Sequence, residues 1–191
     1  MKPRVESNGR PSDARHQFME TGASTYLEAL AAVGKFQREV WEACSSVFKE
    51  RAKELGDALG QPVDAGEISI HQWPGQLLKF DGFYAILGAK VQLRQVATLY
   101  CYVWWGYEDS AEAFVRAVVA VYAEAAEVRK KLLSSFRAEA KSRIKDDSGE
   151  IYLQEPIPPD EFPNLQQKLN DLLTEWIGLW KKIGGLKLHL K

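Results

Sequence analysis

The stretch FYAILGAKVQL, residues 83–93, followed almost at once by VATLYCYVWW, residues 96–105, decides the architecture. In the first, Phe83, Ala85, Leu87, Ala89, Val91 and Leu93 put an apolar side chain at every odd position. That two-residue period belongs to a strand with one face on a core. The second stretch is rich in β-branched and aromatic residues, which suit a pleated, half-buried surface. Just upstream, Asp81-Gly82 is a two-residue hairpin signal. Pro74-Gly75 fits the centre of a type II turn, proline setting φ and glycine supplying φ > 0. Residues 67–73 alternate Ile68 and Ile70 against Ser69, His71 and Trp73, and 76–80 reads as a short strand between the two turns. Short connections make antiparallel neighbours, so this region predicts a four-stranded antiparallel meander.

Helical periods flank it. Thr25 with Glu28 matches a capping box, and Leu30, Val33, Val40, Cys44, Val47, Phe48, Leu55 and Leu59 recur at three- and four-residue steps as far as Gly56 and Gly60. This predicts a first long amphipathic helix. A second is predicted from Asp109, with Glu112 at the box position, carrying Phe114, Val118, Val121, Tyr122, Ala125, Val128, Leu132, Phe136, Ala140 and Ile144 to a stop at Asp146-Asp147-Ser148-Gly149. A short strand at 151–154 leads into Pro156-Ile157-Pro158-Pro159. Pro163 then opens a third helix, whose stripe is Leu165, Leu169, Leu172, Leu173, Trp176, Trp180 and Ile183, up to Gly184-Gly185. The tail, 186–191, alternates like an edge strand. Residues 1–22, broken by Pro3, Gly9 and Pro11, read as a disordered N-terminal arm, and 23–191 as a single domain. The expected fold is α+β: a four-stranded antiparallel meander packed by two long amphipathic helices and a third C-terminal helix. Helices of about 35 residues are roughly 50 Å long, more than the ~40 Å diameter of a compact chain of this size. Their apolar stripes call for a partner, and a second copy is the simplest, so a homodimer through the first or second helix is expected.

Composition removes several function classes. The 191 residues hold 25 Lys+Arg against 26 Asp+Glu, and the pI is about 6.3, unlike the basic balance of a nucleic-acid binder. No apolar run approaches the ~18 residues of a membrane helix, and the N-terminus lacks a signal-peptide core. Two cysteines make no disulfide framework, which points to a cytoplasmic protein. His16, His71 and His189 are scattered, with no HExxH and no paired CxxC, so no metal site is expected. GxSxG, GxxxxGK[ST] and GxGxxG are absent, and no cofactor is expected. Cys44 and Cys101 share parity or stripe with apolar residues, as core cysteines do. Glu108-Asp109 and Asp146-Asp147 are accounted for by capping and turns. Catalytic residues are unknown, and whether the chain is an enzyme stays open.

Two constellations stand out. If odd positions face the core, the even face of the long strands carries Tyr84, Lys90, Arg94, Tyr100, Tyr102 and Trp104 beside Ile86. Such a row suits a covered core face, a protein interface or a small-ligand pocket. Stacking of nucleic-acid bases fits least, since the balanced charge offers few phosphate contacts. On a helical wheel Lys130, Arg137, Lys141 and Lys145 lie opposite the second helix's stripe. They form either a basic patch for an anionic partner or a solvated face complementing the helix dipole. Pro156 and Pro159 match PxxP, which here serves as a rigid connector.

The helix-strand-strand-strand-helix order is similar to that of small bacterial secretion-chaperone and immunity-type domains, as architecture without a shared motif. The expectation is a non-catalytic protein-interaction or homo-oligomeric module (adaptor, chaperone-like or immunity-like), with a second copy as its first expected partner and another protein as the next, and no membrane. The alternative is a small-molecule-binding protein or enzyme with a pocket between the aromatic sheet face and the helices.

Overall fold

Strands form where the alternation is cleanest: β2 is Gly82–Leu93 and β3 is Ala97–Glu108, paired antiparallel with Ile86 opposite Trp104 and Lys90 opposite Tyr100. The computed structural model describes residues 11–78, 82–94, 96–108 and 113–190. By its contacts the chain divides into two units, Met1–Arg38 and Glu39–Lys191.

β1, Ser69–Leu78, absorbs what the sequence suggests are two strands and a turn. Pro74-Gly75 lies within it, and the ladder slips there: Trp73 faces Ile86 but Gln76 faces Tyr84, so β1 carries one extra residue. A proline, which has no N–H to donate, is tolerated at a bulge on an edge strand, and β1 is the edge of the sheet. Asp81 of the hairpin signal lies outside the described residues.

The largest correction concerns the expected second long helix. Its first half is a strand, β4, Phe114–Ala123; only the second half is helical, α2, Ala126–Ala140. The capping pair Asp109 and Glu112 lies outside the described residues. β4 sits inside the sheet between β3 and β6, and Val118, Val119, Ala120 and Val121 are all fully buried. A strand sheltered on both faces needs no alternation, so its continuous apolar run imitates a helical stripe. After a 3-10 turn, Lys141–Arg143, the expected helix stop is a hairpin between β5, Lys145–Asp147, and β6, Glu150–Pro156. Ser148 and Gly149 both have positive φ (49° and 89°), as a two-residue type I′ turn requires. Among the described residues the sheet therefore has six strands rather than four, all antiparallel, in the order β1-β2-β3-β4-β6-β5.

α1 spans Pro11–Leu59. It is already under way at Thr25, whose hydroxyl donates to the Thr21 carbonyl one turn back instead of capping a start. Of the expected arm, residues 1–10 lie outside the described residues and 11–22 belong to α1. α3, Leu165–Lys182, follows a 3-10 turn, Pro159–Asn164, that contains Pro163. The tail is a short helix, α4, Gly185–His189, not an edge strand. Gly184 and Gly185 take φ of 79° and 75°, and a Cβ on Gly185 would sit 2.7 Å from the Ala58 and Leu59 carbonyl oxygens. The glycine pair thus turns the chain against the end of α1, and Leu186 and His189, one helical turn apart, are buried.

Ala85, Leu87, Ala89, Val91 and Leu93 of β2 and Ala97, Leu99, Cys101 and Val103 of β3 are buried, as expected, with Cys44 of α1 against Cys101, whereas Tyr107 at the end of β3 is exposed. Val40, Val47, Phe48, Leu55 and Leu59 of α1 and the whole predicted stripe of α3 are buried too. Phe136 of α2 stacks on Trp176 of α3 at 4.7 Å between centroids, and Trp180 meets both edge-on.

Candidate interaction surfaces

The even face of the sheet is covered by its own side chains. Tyr102, Val118 and Ala120 are buried beneath Ile86, Tyr100, Trp104 and Tyr152, which are themselves only half-buried. Small residues make room for the rings: a Cβ on Gly88 would lie 2.3 Å from the Cys101 carbonyl oxygen and 2.4 Å from the Tyr102 Cα. His71, opposite Gly88 on β1, brings its ring within 4.6 Å of Tyr100 and 5.4 Å of Tyr102. The Tyr102 hydroxyl donates to Glu150 Oε2 at 3.2 Å. Burial, then the nearby Lys90 ammonium, holds His71 down to about 4. Burial raises the Glu150 carboxyl, against the stabilising hydrogen bond from Tyr102. The Tyr102 hydroxyl is pushed far up by burial and by Glu150. At neutral pH this cluster holds a neutral imidazole and un-ionised phenols.

The predicted site residues separate into three places. Lys90 and Tyr100 share a groove of about 370 Å³ with Ser69, Gln92 and Thr98 of the strands and Glu67 of the 3-10 turn just before β1. Tyr84 stacks on Trp73 at 6.2 Å, leaving Trp73 48% exposed. Trp104 packs edge-on against Phe114, with the Arg116 guanidinium over both rings at 5.4 and 4.9 Å. Arg94 is in the β2–β3 turn with φ of 45°, off the sheet face. His71, Arg116 and Glu150 are additions that the strand pattern alone did not supply. Arg116 lay in the expected helix; Glu150 shares even parity with Tyr152 and Gln154, a signal that appears only once β6 is known to begin there.

The basic set does not share one helix face. α2 ends at Ala140, so Lys141 falls in the 3-10 turn and Lys145 on β5, while Arg137 is ion-paired with Asp146. Burial, with Cys101 alongside, raises the Cys44 thiol well above its ordinary value, leaving it a packing residue rather than a nucleophile. A cavity of about 730 Å³ is formed by the end of α1 and the loop after it (Lys49, Lys53, Asp57, Gln61) and shares no residue with the aromatic face. Among the described residues no group of three or more His, Cys, Asp or Glu side chains is placed to hold a metal ion. No described helix is long and apolar enough to cross a membrane.

A second surface runs along α1. Met19, Tyr26, Val33, Val40 and Val47 are seven residues apart, and Ala23, Leu30, Gln37 and Cys44 interleave with them at the four-three spacing of a heptad seam. Glu28, Lys35, Glu42 and Lys49 mark the opposite side. From Val40 onward the seam is buried, but Met19, Tyr26, Leu27, Leu30 and Val33 are each about half to two-thirds exposed.

No protein-family model, no curated protein and no solved structure matches the chain.

Proposed function

We propose that the protein is a non-catalytic interaction module that self-associates through the first half of α1. One observation carries this reading: the heptad seam buried from Val40 to Val47 continues upstream as an exposed stripe. A long helix draws most of its stability from packing an apolar face, and Gly22 and Gly34 each weaken this segment by about 1 kcal/mol relative to alanine. The positions flanking the upstream seam favour a second copy as the occupant. They are Glu20, Leu27 and Gly34 on one side and Gly22, Ala29 and Phe36 on the other. A single charge among them offers no code for a charged partner and no repulsion against the same helix.

The test is the mass in solution by light scattering of wild type and of Leu30→Lys with Val33→Lys. The double variant is expected to halve the particle mass while far-UV circular dichroism stays native-like. An unchanged mass overturns the α1 contact.

A further inference from the structure

The two edges of the sheet are unlike. β5 is three residues long and all three, Lys145, Asp146 and Asp147, are charged and exposed. Short charged edges are protected against pairing with another chain. β1 is ten residues long and carries no charged side chain. Its regular segment before the bulge, residues 69–73, exposes Ile70 (47%) toward one face and Trp73 (48%) toward the other. Among the described residues no strand pairs with its outer side.

We propose that the outer edge of β1 pairs with β1 of a second copy, antiparallel about a two-fold axis at His71, joining the two sheets into one. This goes beyond the α1 contact and uses a different surface. The register follows from parity. For the two aromatic faces to lie on the same side, paired residues must both be odd or both be even, so the axis passes through a residue rather than between two. Centring on His71 uses all five residues ahead of the bulge: His71 faces its counterpart, Ile70 faces Gln72, and Ser69 faces Trp73. A centre at Gln72 would place Ile70 against the bulge at Pro74.

Shape supports the same centre. Ser69 lines the 370 Å³ groove with Lys90 and Tyr100, and the next strand lies about 4.8 Å away. Trp73 from the second copy, directly opposite Ser69, turns from its own Tyr84 to reach over that groove, its indole beside the Lys90 ammonium and the Tyr100 ring. The two-fold repeats the contact, so each copy supplies one knob and one groove, as a self-complementary interface requires. No like charges meet along the pairing.

The register is tested by cross-linking with oxidised glutathione, read on a non-reducing gel and by intact mass. Two thiols facing each other across the axis exchange with the oxidant, forming one intermolecular disulfide and releasing two reduced glutathiones. Directly opposed residues have Cα atoms about 4.5–5.5 Å apart, within disulfide reach. His71→Cys is expected to give a covalent dimer, and Ser69→Cys, which faces Trp73, to give little. Equal cross-linking of both, or none with His71→Cys, overturns the register. A second measurement needs no thiol. With both contacts intact the wild type is expected to be a tetramer, Leu30→Lys with Val33→Lys a dimer, and the further addition of Trp73→Ala a monomer. A monomeric Leu30→Lys/Val33→Lys protein overturns the β1 contact and leaves the α1 contact standing. An unchanged mass in that variant removes the α1 contact, with β1 still judged by His71→Cys.

Discussion

Gly88 lies between His71 and Tyr102 on the aromatic face, and the absence of its side chain lets the two strands approach. In Gly88→Ala the new methyl would press on the backbone of β3, not on a side chain able to turn away. The expected loss is about 3 kcal/mol, the upper end of ordinary overpacking, measured by urea denaturation; a change under 1 kcal/mol would mean that the strands separate more easily than their packing implies. His71 carries a pH dependence of definite sign. Its folded value is held near 4 against an ordinary 6.5, so the unfolded chain binds more protons between those values. Its contribution is complete above pH 6.5 and is lost as pH falls through 4. With partial solvent screening this amounts to roughly 1–2 kcal/mol. Between pH 7 and pH 4 the wild type should lose that much more stability than His71→Gln. Equal losses would show that the imidazole is not held neutral by the fold.

Among the elements, α1 and α3 are joined by a polar bond at the edge of the core. Arg51 reaches across to donate to Asn170 Oδ1 at 2.8 Å and Thr174 Oγ1 at 2.9 Å, while its Nε and Nη2 grip Glu54. The hydrogen bonds from Arg51, then Lys181, lower the Glu54 carboxyl. Arg51→Ala strands the acceptors on α3, with an expected cost of about 2 kcal/mol. Arg51→Lys restores the charge but not the planar fork, and should recover less than half. Full recovery with lysine would show that charge, not geometry, holds the helices. β4 illustrates the opposite logic: hydrogen-bonded on both sides and apolar on both faces, it is defined by its neighbours and has no pattern of its own.

Within Glu39–Lys191 the described helices pack on one sheet face, and the other is covered by aromatic rings of the sheet itself. One edge is short and charged, the other long and uncharged. The α1 seam and the β1 edge are separate surfaces, and two isologous contacts on one chain close into a dimer of dimers when their axes are compatible. Open-ended growth in the wild type, abolished by either set of substitutions, would indicate axes that do not meet.

Much of this was legible from residues alone. The alternation of 83–93 fixed which face of β2 is buried, and the leucines and tryptophans of 165–183 marked the buried side of α3, because an element with one wet face and one dry face writes its period into the sequence. Tyr84, Ile86, Lys90, Tyr100, Tyr102 and Trp104 were named for the same reason, with Arg94, which the turn removes; His71, Arg116, Glu150 and Tyr152 were not. β4 was not legible: buried on both faces, it has no polar positions to betray a period of two, and its valines recur at helical spacing by chance. The hairpin at Ser148-Gly149 and the packing of Gly185 against the end of α1 were equally hidden, since glycine signals a turn but not what the turned chain meets. Glu150 joined Tyr102 only through strand order, which depends on which strands share an edge and is carried by no single stretch of sequence.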